Sequence, residues 1–211
     1  MKKQKDEKFV KFLARFIVES DAIESIKDDP RLVKIQLKEN SQEGHVGALL
    51  LLENLVHVKE RILTEDVVRK IQGLITKEQH KKPGGEMLPA EWIGKYRTIN
   101  VRIGGRIAPL PMSVPELMID WITRVENWQK TCQQSDVSNL PKIAKFHFEY
   151  ELIHPFADGN GRSGRAIVFY LMRYCGLKPF IFSAADRFET YYCCFQNPEA
   201  MCQYFEKRYQ K

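Results

Sequence analysis

Apolar residues recur along almost the whole chain with the period of an α-helix, and the rhythm becomes a two-residue alternation in one short stretch. Phe9, Val10, Phe12, Leu13, Phe16 and Ile17 share a helix face predicted to end near Ser20. A second helix is predicted from Val46 to Arg61. Thr64 is placed to cap a third that runs through Ile75, with Glu65 and Asp66 suiting its positive end. Thr76 to Lys95, with Pro83-Gly84-Gly85, reads as loop. Ile99, Val101 and Ile103 then alternate with polar residues, Gly104-Gly105 supplies a turn, and Arg106 to Leu110 returns. Helical spacing resumes after Ser113 with Val114, Leu117, Met118, Trp121, Ile122, Val125 and Trp128. Ser138 or Asn139 caps a helix through Ile153, with Pro141 tolerated in its first turn. A further helix runs from Gly161 to Cys175 and stops at Gly176. The expected fold class is mainly α, a helical bundle with one small β-hairpin.

A chain of 211 residues can bury one good core and is short for two. No repeat or long linker interrupts it, so residues 1–211 are expected to form a single domain. The longest unbroken apolar run, Ala48 to Leu52, is far below the roughly 20 residues that span a bilayer, and no membrane partner is expected. The net charge of +6 comes from Lys and Arg spread along the chain, densest at Lys2, Lys3, Lys5 and Lys8. Zinc-finger spacing, an RNP-like aromatic strand and a focused basic stripe are all missing, which argues against nucleic acid as the partner. The five cysteines are odd in number and bunched late, with no partner histidines at zinc-ligand spacing. Lys11 and Arg15 interrupt the only early apolar stretch, so no secretory signal is read. Free thiols in a reducing cytosol are expected.

Chemistry concentrates in the twelve residues His154-Pro155-Phe156-Ala157-Asp158-Gly159-Asn160-Gly161-Arg162-Ser163-Gly164-Arg165. A helix ends at His154 and another begins at Gly161, joined by a turn of Asp, Gly, Asn and Gly. Glycines at a helix start let backbone N–H groups converge on an anion without Cβ obstruction. Arg162 and Arg165 are expected on one face of the first turn as paired phosphate donors. Asp158 places a hard carboxylate beside those phosphates, which suits Mg²⁺ carried by a nucleotide. His154 has the proton affinity for general-base work near neutrality. Each part alone has a plainer reading: Gly-Asn-Gly is a common turn, a histidine at a helix end a C-cap, two arginines a solvated face. Their coincidence within twelve residues points to a phosphate-handling site.

This stretch resembles the signature of the Fic family, His-x-Phe-x-Asp/Glu-Gly-Asn-Gly-Arg-x-x-Arg, with every specified position matched. The resemblance extends through Phe146-His147-Phe148-Glu149 upstream, and Gly94-Lys95-Tyr96-Arg97 leading into the hairpin resembles the family's target-docking flap, at residues 97–110. In all it covers roughly residues 20 to 195. It implies a Fic-type bundle that transfers AMP from ATP to a Tyr, Thr or Ser hydroxyl of a target protein. Carried over by position, His154 takes the hydroxyl proton and Asp158 holds Mg²⁺. Gly159, Asn160, Gly161 and Arg162 cradle the phosphates, and Arg165 grips the γ-phosphate. Phe156 anchors the loop, while flap residues Ile99, Val101 and Ile103 dock the target by strand addition. Tyr191 and Tyr192 are candidate walls for the adenine, though aromatic residues there also suit the core. Gly161 leaves the nest open, where relatives that phosphorylate their targets carry a bulky Lys.

Many family members also carry an inhibitory helix, Ser/Thr-x-x-x-Glu-Gly/Asn, whose glutamate pairs with the second motif arginine. Ser20-Asp21-Ala22-Ile23-Glu24-Ser25, within an N-terminal segment 1–30, resembles it, with Ser25 in place of Gly or Asn. By that resemblance Glu24 occupies the guanidinium that the γ-phosphate needs. Other outcomes stay open: transfer of UMP or phosphocholine, removal of AMP, a nucleotide-binding regulator without catalysis, self-association, and action in a host cytosol as a secreted effector.

Overall fold

The computed structural model describes residues 6–58, 62–77 and 88–210. Among them are eight α-helices: α1 (Glu7–Ile23), α2 (Pro30–Glu39), α3 (Gly44–Val56), α4 (Glu65–Lys77), α5 (Val114–Thr131), α6 (Leu140–Ile153), α7 (Asn160–Tyr174) and α8 (Pro198–Tyr209). An antiparallel hairpin, β1 (Arg102–Ile103) and β2 (Arg106–Ile107), precedes α5, with Arg102 opposite Ile107 and Ile103 opposite Arg106. The fold is mainly α with one small hairpin, as the periodicity predicts. No helix among the described residues is long and apolar enough to cross a membrane.

The bundle is organised around α7, on which α1, α3, α4 and α6 all pack. A helix covered on every side has no solvent stripe to hold its polar residues. Asn160, Arg162 and Arg165 are therefore buried on α7 and must find partners inside the protein. That requirement ties the C-terminal end of α1 to the start of α7, far apart in sequence.

Helix α1 starts where the Asp6 carboxylate accepts from Lys8 N (3.1 Å) and buries Val10, Leu13, Phe16 and Ile17. It runs to Ile23 rather than ending near Ser20, because Ser20 and Asp21 are themselves buried and bonded. His45 Nδ1 donates to the Asp21 carboxylate (3.0 Å), pinning the end of α1 to α3. The helix then closes in a two-bond C-terminal turn: Ser25 N to Ala22 O and Ile26 N to Asp21 O, both 3.0 Å, with Ser25 left-handed at φ +63°. A side chain in that conformation costs about 1 kcal/mol relative to glycine. Ser25→Gly is thus expected to raise the melting temperature by roughly 2–4 °C, as calorimetry would read. A lower melting temperature would mean that the hydroxyl, not the backbone, matters there.

Several boundaries differ from the periodicity. Helix α3 stops at Val56 instead of Arg61, since Val58 is already 49% exposed and the apolar face has ended; residues 59–61 lie outside the described ones, as does Pro83-Gly84-Gly85. Helix α4 continues to Lys77, with Thr64 accepting from Val67 N (3.3 Å) as its predicted cap. Asn139 sits at the start of α6, but its amide bonds the carbonyls of Gln133 and Asp136 instead of capping. The paired part of the hairpin is shorter than predicted; Ile99 and Val101 precede it. Helices α2 and α8 are not legible in the periodicity. Helix α2 buries only Val33 and Leu37, a stripe too thin to read, whereas α8 starts at an Asn-Pro cap and buries Met201, Tyr204 and Phe205.

Candidate active site

Helix α6 ends at His154, which takes the left-handed conformation (φ +50°, ψ +61°). A residue with a Cβ holds that geometry only where its surroundings impose it. Its backbone N–H donates to Tyr150 O (3.0 Å), and its carbonyl accepts from Arg97 Nε (2.7 Å). Nδ1 lies 3.2 Å from the Glu151 carbonyl, which can only accept, so the ring proton sits on Nδ1 and the Nε2 lone pair stays available. Burial pushes the imidazole pKa below the ordinary histidine range. The Glu151 carbonyl, Glu24 and Asp158 pull it upward and Arg97 pulls it down, with the net shift downward. The ring is therefore neutral at pH 7. If His154 is the base, activity falls as pH drops through this lowered pKa, so the acid limb of the rate profile lies below the ordinary histidine range. An acid limb above that range would contradict a neutral buried ring.

After His154 the chain turns around Phe156, which is fully buried beside the Tyr96 ring (5.5 Å between centroids). Asn160 closes the turn with both ends of its amide: Nδ2 donates to Phe156 O (2.8 Å) and Oδ1 accepts from Phe156 N (2.9 Å). Its side chain is thus occupied in holding the loop, and only its backbone is left for the expected phosphate cradle. Gly159, at φ +79°, forms the N-cap of α7 and donates its N–H to Asp158 Oδ1 (2.7 Å). The first intrahelical bond is Ser163 N to Gly159 O (2.9 Å), so the N–H groups of residues 160–162 lie ahead of it at the positive end of the helix. Gln72 supports the turn from α4, its Nε2 donating to Asp158 O (2.9 Å).

Arg165 points from α7 toward α1. Nε donates to Ser20 Oγ (2.9 Å), and Nη2 to Ser20 O and to Glu24 Oε1 (2.8 Å each). Arg165 is 1% exposed and Glu24 33% at their side chains. Burial alone would lower the guanidinium pKa, but Glu24, then Tyr191 and Glu151, outweigh it and raise the pKa. The predicted brake residues Ser20 and Glu24 are thus in direct contact with the second motif arginine. Gly161 completes this corner: a Cβ there would overlap Glu24 Oε1 and lie 3.0 Å from Arg165 Nη1.

A cavity of about 720 Å³ opens over these residues, bordered by Glu24, His154, Gly161, Arg165, Tyr191 and, from the flap, Ile103. Its size suits a nucleotide. Tyr191 is buried, shares a hydrogen bond between its hydroxyl and His147 Nε2 (2.7 Å) and still borders the cavity, so it serves core and cavity together; the more exposed Tyr192 borders the cavity beside it. Ile99 and Val101 do not border it. Arg162 also departs from the expectation of a shared face: it lies 3.6 Å from Asp158 and borders a separate cavity of about 190 Å³ with Asp21, Asp28 and His45. Among the described residues no cluster of three His, Cys, Asp or Glu side chains could cage a metal. The single carboxylate of Asp158 beside the start of α7 would suit Mg²⁺ brought in on a nucleotide rather than a metal caged by the protein alone.

Two residues of this region are given no site role by the sequence reading. Glu151 borders the cavity one turn before His154, and burial pushes its pKa up to about 8. Its spacing of three from His154 is the signal that points to it. Arg97 is buried at the base of the flap; the resemblance of Gly94-Lys95-Tyr96-Arg97 to a flap segment marks its place but not its burial or its partners.

The architecture is a helical bundle around α7, whose first turn lies with His154 and the flap residue Ile103 at the border of one cavity. The model of the Fic/DOC family matches residues 62–172, and the chain belongs to that family. It is 31% identical over 115 residues to a protein from Drosophila grimshawi named protein adenylyltransferase Fic, covering 54% of this chain and 23% of that protein. The chain thus spans about a quarter of the length of the curated relatives it matches. A solved structure of a Fic domain containing signaling protein from Bacteroides thetaiotaomicron superposes with a TM-score of 0.75 at 18% identity, over 99% of this chain and 88% of that one. A complex of IbpAFic2 with adenylylated Cdc42 gives a TM-score of 0.59 at 17% identity, over 100% of this chain and 64% of that one. At such identities the likeness is one of fold.

Proposed function

We propose that this chain transfers AMP from ATP to a hydroxyl of a target protein and releases pyrophosphate. The observation that carries the reading is that an unprotonated His154 Nε2 and the Gly161 corner of the nest border one cavity, so base and phosphates meet there. His154 Nε2 takes the hydroxyl proton as the oxygen attacks the α-phosphorus. The bond from that phosphorus to the β-bridging oxygen breaks, and pyrophosphate leaves. Such transfers need placement and charge neutralisation more than covalent help. The N–H groups at the start of α7 and the Arg165 guanidinium supply it, and Asp158 would hold Mg²⁺, which adds positive charge against the phosphates. The family relatives named adenylyltransferases and the adenylylated protein in the IbpAFic2 complex support a protein as acceptor.

The same reading makes Glu24 an internal brake, because its carboxylate occupies both Arg165 and the space beside Gly161. A γ-phosphate and Glu24 compete for one guanidinium. To test the transfer, the protein is incubated with lysate, Mg²⁺ and ATP labelled at either the α- or the γ-phosphate, with α-labelled UTP alongside. Label from α-ATP on protein supports AMP transfer. Label from γ-ATP means phosphorylation, and preferential label from UTP means a different donor.

A further inference from the structure

We propose that Arg97 is a positioning residue of the transfer reaction, holding both feet of the flap and the backbone of His154 in one fixed geometry. The proposal rests on the reading of His154 as the base. Arg97 is 2% exposed, and its guanidinium is spent on backbone carbonyls from three places. Nη1 donates to Ile99 O (3.1 Å), just before β1, and Nη2 to Pro109 O (2.7 Å), just after β2. Nε donates to His154 O (2.7 Å), and Nη2 reaches Ile153 O (3.3 Å) at the end of α6. The backbone N–H of Arg97 adds a bond to Pro155 O (2.9 Å).

One planar fork thus joins the descending and returning arms of the flap to the residue that would accept the proton. Only a guanidinium presents enough fixed donors to span these acceptors; a lysine ammonium is a point charge that reaches one or two of them. The consequence is geometric. A target segment aligned along the flap is aligned to His154, because flap and base are referenced to the same side chain. The link also explains how His154 keeps its left-handed backbone: its carbonyl is held from outside the helix, and its ring is turned to the Glu151 carbonyl. None of the Arg97 bonds reaches residues 158–165, so the phosphate nest does not depend on it.

This separation gives the test. In a Glu24→Gly background, Arg97→Lys and Arg97→Gln are compared with the parent for ATP affinity by calorimetry and for the saturating rate of self-labelling from α-labelled ATP between pH 5 and 8. A misplacement of about 1 Å costs on the order of a hundredfold in rate, which is the loss expected for both variants, with ATP affinity held within about twofold. Arg97→Gln also moves the acid limb upward. The groups left facing the imidazole, the Asp158 carboxylate and the Glu151 carbonyl, both favour its protonated form, and the opposing cation is gone. Arg97→Lys keeps the charge and so keeps the acid limb near the parent's. Rates equal to the parent's would overturn the proposal. So would ATP affinity and rate falling together, or failure of both variants to fold, since each assigns Arg97 to stability alone. No self-labelling by the parent with Arg97 intact would instead end the transfer reading, and this proposal with it.

Discussion

Glu24→Gly is expected to raise the rate of the proposed AMP transfer by between about tenfold and a hundredfold. Removing one partner of a fully buried ion pair costs roughly 3–5 kcal/mol, but here only Arg165 is fully buried. With Glu24 a third exposed, water screens the pair, and a bias of about 1.5–3 kcal/mol is the better expectation. That range corresponds to the stated gain. The variant frees the guanidinium without releasing it, because Ser20 still accepts from Nε and Nη2. It also clears the space beside Gly161. ATP affinity should rise in step, since carboxylate and γ-phosphate exclude each other. Initial labelling rates and calorimetry on the two proteins check both statements. A rate equal to or below the parent's would mean that the Arg165–Glu24 contact does not restrain the reaction.

On the proposed reading His154 accepts the proton, so His154→Ala is expected to lower transfer by about 10²- to 10⁴-fold, the usual contribution of a general base. ATP binding is expected to survive, because the bonds His154 makes go to Tyr150, Glu151 and Arg97 and not to the nest. Single-turnover labelling beside ATP titration separates the two effects. A loss of ATP affinity as large as the loss of rate would move His154 from proton transfer to nucleotide binding.

How much of the molecule is legible in its sequence follows from the range of the interactions. Period marks the long helices with one buried face, such as α1 and α5, and the Gly104-Gly105 turn marks the hairpin. Helix α7 is readable through its motif more than its pattern, since a helix buried on all sides has no polar stripe. The turn from His154 to Arg165 is local, so residue types and spacing are enough to pick out its parts. Their orientation is not local: Arg162 and Arg165, three residues apart, border different cavities, Arg165 held by Ser20 and Glu24 and Arg162 placed beside Asp21, Asp28 and His45. Asn160 reads as a phosphate ligand, yet its amide closes on Phe156. Glu24 stands in a pattern with one mismatch, and the mismatch falls where the backbone is left-handed, at Ser25. That position explains why glycine or asparagine belongs in the pattern and why serine still closes the turn. The partners of Arg97 are hidden for the opposite reason, since they are backbone carbonyls that carry no residue identity.

On the proposed reading, His154 moves a proton within a site that Glu24 restrains through Arg165. The most direct measurement incubates the protein, its Glu24→Gly form and its Glu24→Gly/His154→Ala form with Mg²⁺, lysate and ATP labelled on the α-phosphate. Weak label on protein is expected from the first, strong label from the second, and none above background from the third. Strong label that persists in the double variant would contradict that reading.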